Sequence, residues 1–147
     1  MQNSFIASFK VKKVYPKTLK IKIFENKPIA IVLYNKKKFY LTEKIELIEL
    51  IELQKYKNLP YIIGDPKNFK NLFEILNHLN FPLNSVKKFI LYESNRWDIE
   101  MKSNIIIKLP SKEYKIRLKK FLDIKDKNEF KKYKIFDFRI KNQLILK

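Results

Sequence analysis

The sequence has 147 residues, 46% hydrophobic and 33% charged, with six prolines, one glycine and no cysteine. That supports one ordinary domain or two very small ones and excludes a disordered chain, disulfides, thiolate catalysis and zinc fingers. The net charge of +18 favours nucleic acid or anionic lipid as a partner, but only Arg96, Arg117 and Arg139 among the 33 cations are arginine. Lysine is the weaker reader of phosphates and bases, so a lysine-coated surface is the simpler reading.

Residues 17–25 alternate Leu19, Ile21 and Ile23 with Lys20 and Lys22, the two-residue period of a half-buried strand. Phe9, Val11 and Tyr15 precede them at the same spacing, and Tyr15-Pro16-Lys17-Thr18 reads as the turn, predicting a hairpin over 8–25. Residues 29–34 and 39–42 read as two further strands. In residues 43–53, Glu43, Glu46, Glu49 and Glu52 recur every third position, which suits neither a strand nor a straight helix. These four carboxylates have no His or Asn at ligand spacing, so no metal is expected there.

Asp65 and Pro66 are an N-cap and first position for a helix carrying Phe69, Leu72, Phe73, Leu76 and Leu79 on one stripe. Asn80-Phe81-Pro82 ends it. A strand is expected over 86–92. Trp97, Ile99 and Met101 then face the core opposite Asp98 and Glu100, and Lys102-Ser103-Asn104 makes a tight turn into the apolar run 105–109. Ser111 reads as the cap of a second helix with Tyr114, Leu118, Phe121 and Leu122 facing inward. Its Lys112, Lys115, Lys119 and Lys120 offer a mild basic, lipid-facing side. Residues 134–140 and 143–147 read as two closing strands. The composite is an α+β fold, mostly antiparallel strands with two or three helices.

Catalytic chemistry finds little support. His78 is the only histidine, and one glycine cannot build a phosphate loop or a dinucleotide turn. Asp98 and Glu100 share a strand face, but the outer face of an antiparallel hairpin explains them without acid–base catalysis. No enzyme, cofactor or metal is expected, and binding is the default reading.

Several local strings, taken in order, resemble one family. Val11-Lys12-Lys13-Val14-Tyr15-Pro16-Lys17-Thr18-Leu19-Lys20-Ile21-Lys22-Ile23-Phe24-Glu25-Asn26-Lys27-Pro28-Ile29-Ala30 resembles the string that leads from the POTRA domain into the β domain of the bacterial cell-division protein family FtsQ (DivIB). Leu59-Pro60-Tyr61-Ile62-Ile63-Gly64, Arg96-Trp97-Asp98-Ile99, Ile107-Lys108-Leu109-Pro110 and Phe136-Asp137-Phe138-Arg139-Ile140 resemble later motifs of that family, closest to its alphaproteobacterial branch.

The resemblance implies a C-terminal part of a POTRA domain over 1–30 and a β domain over 31–147. It implies a non-enzymatic scaffold of the division machinery at the periplasmic face of the inner membrane, with FtsB and FtsL as partners. Family members begin with a cytoplasmic tail, a transmembrane helix and the front half of POTRA. None of these is in the 147 residues, so the resemblance implies an N-terminally shortened chain, anchored to the membrane only through that missing helix. The implied docking edge runs from Arg139 through Ile140, Lys141, Asn142, Gln143 and Leu144, adding a partner strand. Arg139 would fork a partner carboxylate, or pair with Asp137. Ile140 stands where many relatives carry an aromatic anchor. The rival reading, a basic nucleic-acid-binding domain, rests on charge alone and is not expected.

Overall fold

Alternating sequence becomes paired strand from the first described residues onward; the computed structural model describes residues 4–147. β1 (Ile6–Val14) and β2 (Thr18–Glu25) form the predicted hairpin, with Val11 opposite Ile21 and Lys12 opposite Lys20, in a two-stranded sheet of their own. Residues 1–3 of the expected POTRA segment lie outside the described residues.

A second sheet of nine strands holds the rest. Its strands are β3 (Pro28–Tyr34), β4 (Lys37–Thr42), β5 (Leu47–Glu49), β6 (Tyr61–Ile63), β7 (Val86–Leu91), β8 (Trp97–Met101), β9 (Ile106–Lys108), β10 (Ile135–Asp137) and β11 (Ile145–Leu146). Their order is β11-β10-β9-β8-β7-β6-β3-β4-β5. Five of its eight pairings are antiparallel; β3–β6, β6–β7 and β9–β10 are parallel. Parallel neighbours need a crossover. The helix α1 (Phe69–His78) supplies one between β6 and β7, and α2 (Tyr114–Ile124) another between β9 and β10.

Both helices sit on one face. In-register neighbours share a face of a sheet, so Ile62, Phe89, Ile99, Ile107 and Phe136 form one continuous buried row. Phe69, Leu72, Phe73 and Leu76 of α1 and Leu118, Phe121 and Ile124 of α2 cover that row. The Phe69 ring centroid lies 4.9 Å from that of Phe89, in a tilted pair, and 5.8 Å from that of Trp97, in the edge-to-face contact that aromatic cores favour. A smaller cluster of Ile31, Tyr40 and Ile48 forms on the opposite face, closed by Phe5 and Tyr56. The mixed, mostly antiparallel α+β architecture is therefore as expected.

Local signals held at most boundaries. Asp65 accepts from the Lys67 N–H at 2.9 Å and Pro66 opens a single 3-10 turn that runs into α1. Asn104 takes φ 63° in the β8–β9 turn. Four readings change. The helix predicted from Ser111 starts at Tyr114, behind Glu113 in the left-handed region at φ 58°, with no side-chain cap. The ambiguous acidic stretch contains β5, a short strand paired on β4 and fixed by that long-range pairing. The last two strands shrink to Ile135–Asp137 and Ile145–Leu146, leaving residues 139–144 as a turn. Asp98 does point to the outer face but is buried there.

Candidate functional site

The turn before β11 and the free side of β11 form one continuous end of the large sheet. β10 lies between β9 and β11, pairing Phe136 with Leu146 and Asp137 with Ile145. Lys147 donates its N–H to the Ile135 carbonyl at 3.1 Å, and its own carbonyl accepts from the Ile135 N–H at 2.9 Å. Antiparallel neighbours alternate between bonded and non-bonded pairs, so Leu146 turns its N–H and C=O away from β10, toward the open edge. No strand lies beyond β11 among the described residues. Unpaired backbone groups of this kind are a template for an added strand.

The sequence-expected residues divide here. Arg139 closes β10 by pairing back on Asp137: Nε donates to Oδ1 at 2.8 Å and Nη2 to Oδ2 at 2.6 Å. Those two bonds leave its Nη1 side open among the described residues. Ile140, Lys141, Asn142 and Gln143 are exposed in the turn, Asn142 at φ 60°, and Leu144 is half-buried at its end. None of these five belongs to a strand: the last strand is Ile145–Leu146, and the expected docking segment 139–144 forms the turn that leads into it. The physical cause is the Asp137 carboxylate, which captures the Arg139 backbone N–H at 3.1 Å and bends the chain out of the ladder.

Charge around this end is organised by register. Asp98, Lys108 and Asp137 are in-register neighbours on β8, β9 and β10 and project from the outer face of the sheet. Arg96 adds a further cation, its guanidinium 4.2 Å from the Tyr92 ring centroid. Burial pushes the Asp98 carboxyl up, against the pull of Arg96, Lys108, the Tyr92 hydroxyl and Arg139. Asp98 Oδ1 is buried without a hydrogen-bond partner. The Arg139 bonds hold Asp137 below its ordinary value. Arg96, Lys108 and Arg139 thus face two carboxylates, and the surplus cation favours an anionic side chain from outside.

Arg96, Lys108 and Asp98 are members of this cluster that the sequence pattern did not assign to the edge; the signal that links them is strand register. Trp97 is buried in the core, as its alternation with Asp98 predicts. His78 is exposed at the end of α1. The mildly basic α2 directs Leu118 and Phe121 into the core, leaving only Ile116 as a large exposed apolar residue on that helix. Its apolar face is therefore occupied and not available to lipid.

Architecture and edge together define a class: a helix-backed, mostly antiparallel sheet that ends in an open strand entered from an arginine-clamped turn. Residues 30–139 match the family described as cell division protein FtsQ/DivIB, C-terminal. The chain belongs to the FtsQ/DivIB family of cell-division proteins, a family that is generally non-enzymatic.

Among curated relatives, it is 33% identical over 153 residues to cell division protein FtsQ of Rickettsia typhi, covering 97% of this chain and 57% of that protein. The Rickettsia conorii protein of the same name is 31% identical, covering 97% and 54%. The chain thus spans just over half the length of these relatives. A solved structure of the major extracytoplasmic domain of the trans isomer of the bacterial cell division protein DivIB, from Geobacillus stearothermophilus, is similar at a TM-score of 0.45 and 18% identity, over 69% of this chain and 92% of that one. No helix among the described residues is long and apolar enough to cross a membrane.

Proposed function

We propose that this chain is a non-enzymatic scaffold of the divisome that binds FtsB- and FtsL-like partners by adding a partner strand to β11. Its place would be the periplasmic face of the inner membrane, with residues 1–30 as the end of a POTRA domain and 31–147 as the β domain. The observation that carries the reading is the outward-turned backbone of Leu146 beside the clamped Arg139. Main-chain hydrogen bonds supply the affinity in this mode, and alternate side chains supply specificity. Leu144 and Leu146 present half-buried apolar surface to alternate partner residues, and the open side of Arg139 receives a partner carboxylate.

The test is a titration of the 147-residue chain with the C-terminal segment of FtsB from the same organism, at physiological salt. Saturable binding is expected, weakened at least about tenfold by Arg139→Glu, the magnitude of truncating a charged interface contact. Duplex DNA serves as the control. Steeply salt-sensitive binding to DNA with no response to the FtsB segment would replace this reading with the nucleic-acid one.

A further inference from the structure

The β1–β2 ribbon is exposed along nearly its whole length, on both faces. One face carries Phe9, Val11, Ile21 and Ile23; the other sets Lys10 directly opposite Lys22 and Lys12 directly opposite Lys20. Like charges at opposed positions destabilise a strand pair. Lys10 and Lys22 both reach over the Phe24 ring, at 5.7 and 5.2 Å, so their ammonium groups converge rather than diverge. Lysines 10, 12, 13, 17, 20 and 22 precede the first acidic residue, Glu25. The ribbon's one carboxylate, Glu25, stands at its base opposite Ile6, so nothing within the tip half offsets them.

Among the described residues, only one end of the ribbon is held. Asn26 donates from its backbone to the Phe5 carbonyl at 2.8 Å and from its side chain to the Ser4 carbonyl at 2.9 Å, while Phe5 packs on Tyr40 of the large sheet and on Tyr56 of the 3-10 turn Gln54–Tyr56. At about 3.3 Å per residue, the nine residues of β1 carry the tip about 30 Å from that base. At the tip Tyr15 is 91% exposed, between Lys13 and Lys17. A shallow concavity of about 240 Å³ opens there, lined by Lys13, Tyr15, Pro16, Lys17 and Thr18 among others.

We propose that this tip docks on an anionic phospholipid bilayer, with Tyr15 entering the headgroup region and Lys12, Lys13, Lys17 and Lys20 meeting lipid phosphates. A nucleic-acid duplex, its bases already stacked on one another, would use the lysines and leave the ring in water. A bilayer interface uses both, because an amphipathic ring is favoured at headgroup depth and each nearby lysine multiplies partitioning by about fivefold. The proposal is independent of partner binding at β11, which lies on the other sheet.

The test is sedimentation of the full 147-residue chain with phosphatidylcholine vesicles, with and without about one-third phosphatidylglycerol, at about 0.1 M salt. Binding to the anionic vesicles only is expected. Lys13→Gln with Lys17→Gln should weaken it roughly thirtyfold, whereas Lys115→Gln with Lys119→Gln, exposed on α2, should change it by less than about threefold. Far-UV circular dichroism checks that each variant folds. Trp97 is buried, so Tyr15→Trp places an indole reporter at the tip, and its emission should shift to the blue on anionic vesicles. Equal losses from the tip and α2 pairs, or sedimentation without that shift, would overturn the proposal. So would tip-dependent binding to duplex DNA with no binding to vesicles.

Discussion

Arg139 grips Asp137, two residues before it, through both carboxylate oxygens and through its own backbone N–H. One pairing thereby ends β10, starts the turn into β11 and fixes the guanidinium on the outer face of the sheet, near Asp98 and Tyr92. A free arginine would lose rotamer entropy on meeting a partner; this one is already ordered by its neighbour.

The pair predicts a pH-dependent stability. Asp137 titrates below its ordinary value in the folded chain because Arg139 bonds to the ionised form. Its contribution is therefore present above the unfolded value of about 3.9 and is lost as pH falls through the folded value. Arg139→Gln should lower stability at pH 7 by about 0.5–1 kcal/mol, a modest figure because the guanidinium is substantially exposed and screened. Urea melts across pH should show the gap to the parent chain narrowing as pH falls below the ordinary carboxylate value of about 3.9. A gap undiminished at low pH would assign the loss to packing instead.

Asp98 predicts the opposite sign. Burial raises its folded value, so its ionisation costs stability as pH climbs above the ordinary carboxylate range. Asp98→Asn keeps the shape and removes the charge, and should stabilise the chain by about 1 kcal/mol at pH 7. The two proteins should melt together near pH 3. Destabilisation by Asp98→Asn at neutral pH would mean that Arg96 and Lys108 more than offset the burial.

How far the sequence specified this arrangement depends on the range of the forces involved. Strands whose inner and outer residues differ in polarity, such as β8, are legible because alternation alone assigns their faces; β2 alternates in the same way and pairs as expected, but its Leu19, Ile21 and Ile23 are exposed and not half-buried, because no element packs on them. The start of α1 is legible because Asp65 and Pro66 act within three residues. The burial of Asp98 was not, since its surroundings come from β7, β9 and the turn after β10, joined only by register. β5 was ambiguous for the same reason, because three residues with a period-three pattern become a strand only on meeting β4. The end of β10 depends on Asp137 bonding Arg139 in preference to extending the ladder, a competition that an Asp-x-Arg string does not decide.

Gly64 is one position where the local requirement is strict. It sits after β6 at φ 122°, and a Cβ there would fall 2.7 Å from the Leu91 Cβ. Strain and overlap act together, so Gly64→Ala should cost about 2–4 kcal/mol, measured as a lower midpoint in urea with an unchanged slope. A change below about 0.5 kcal/mol would show that β6 and β7 separate without penalty at this end.

Leu146 separates edge docking from every other mode of contact. Its N–H faces outward while the Ile145 pairing on Asp137 holds β11 in place. Leu146→Pro removes the outward donor, and an edge strand tolerates proline where the N–H meets solvent. Stability should change by less than about 1 kcal/mol, while affinity for an FtsB segment should fall at least about tenfold. Ile145→Pro strikes the inward side of the same strand, where proline removes a ladder hydrogen bond, and should lower the melting temperature as well. Binding that survives Leu146→Pro in a folded chain would move the contact from the strand edge to the side chains of the preceding turn.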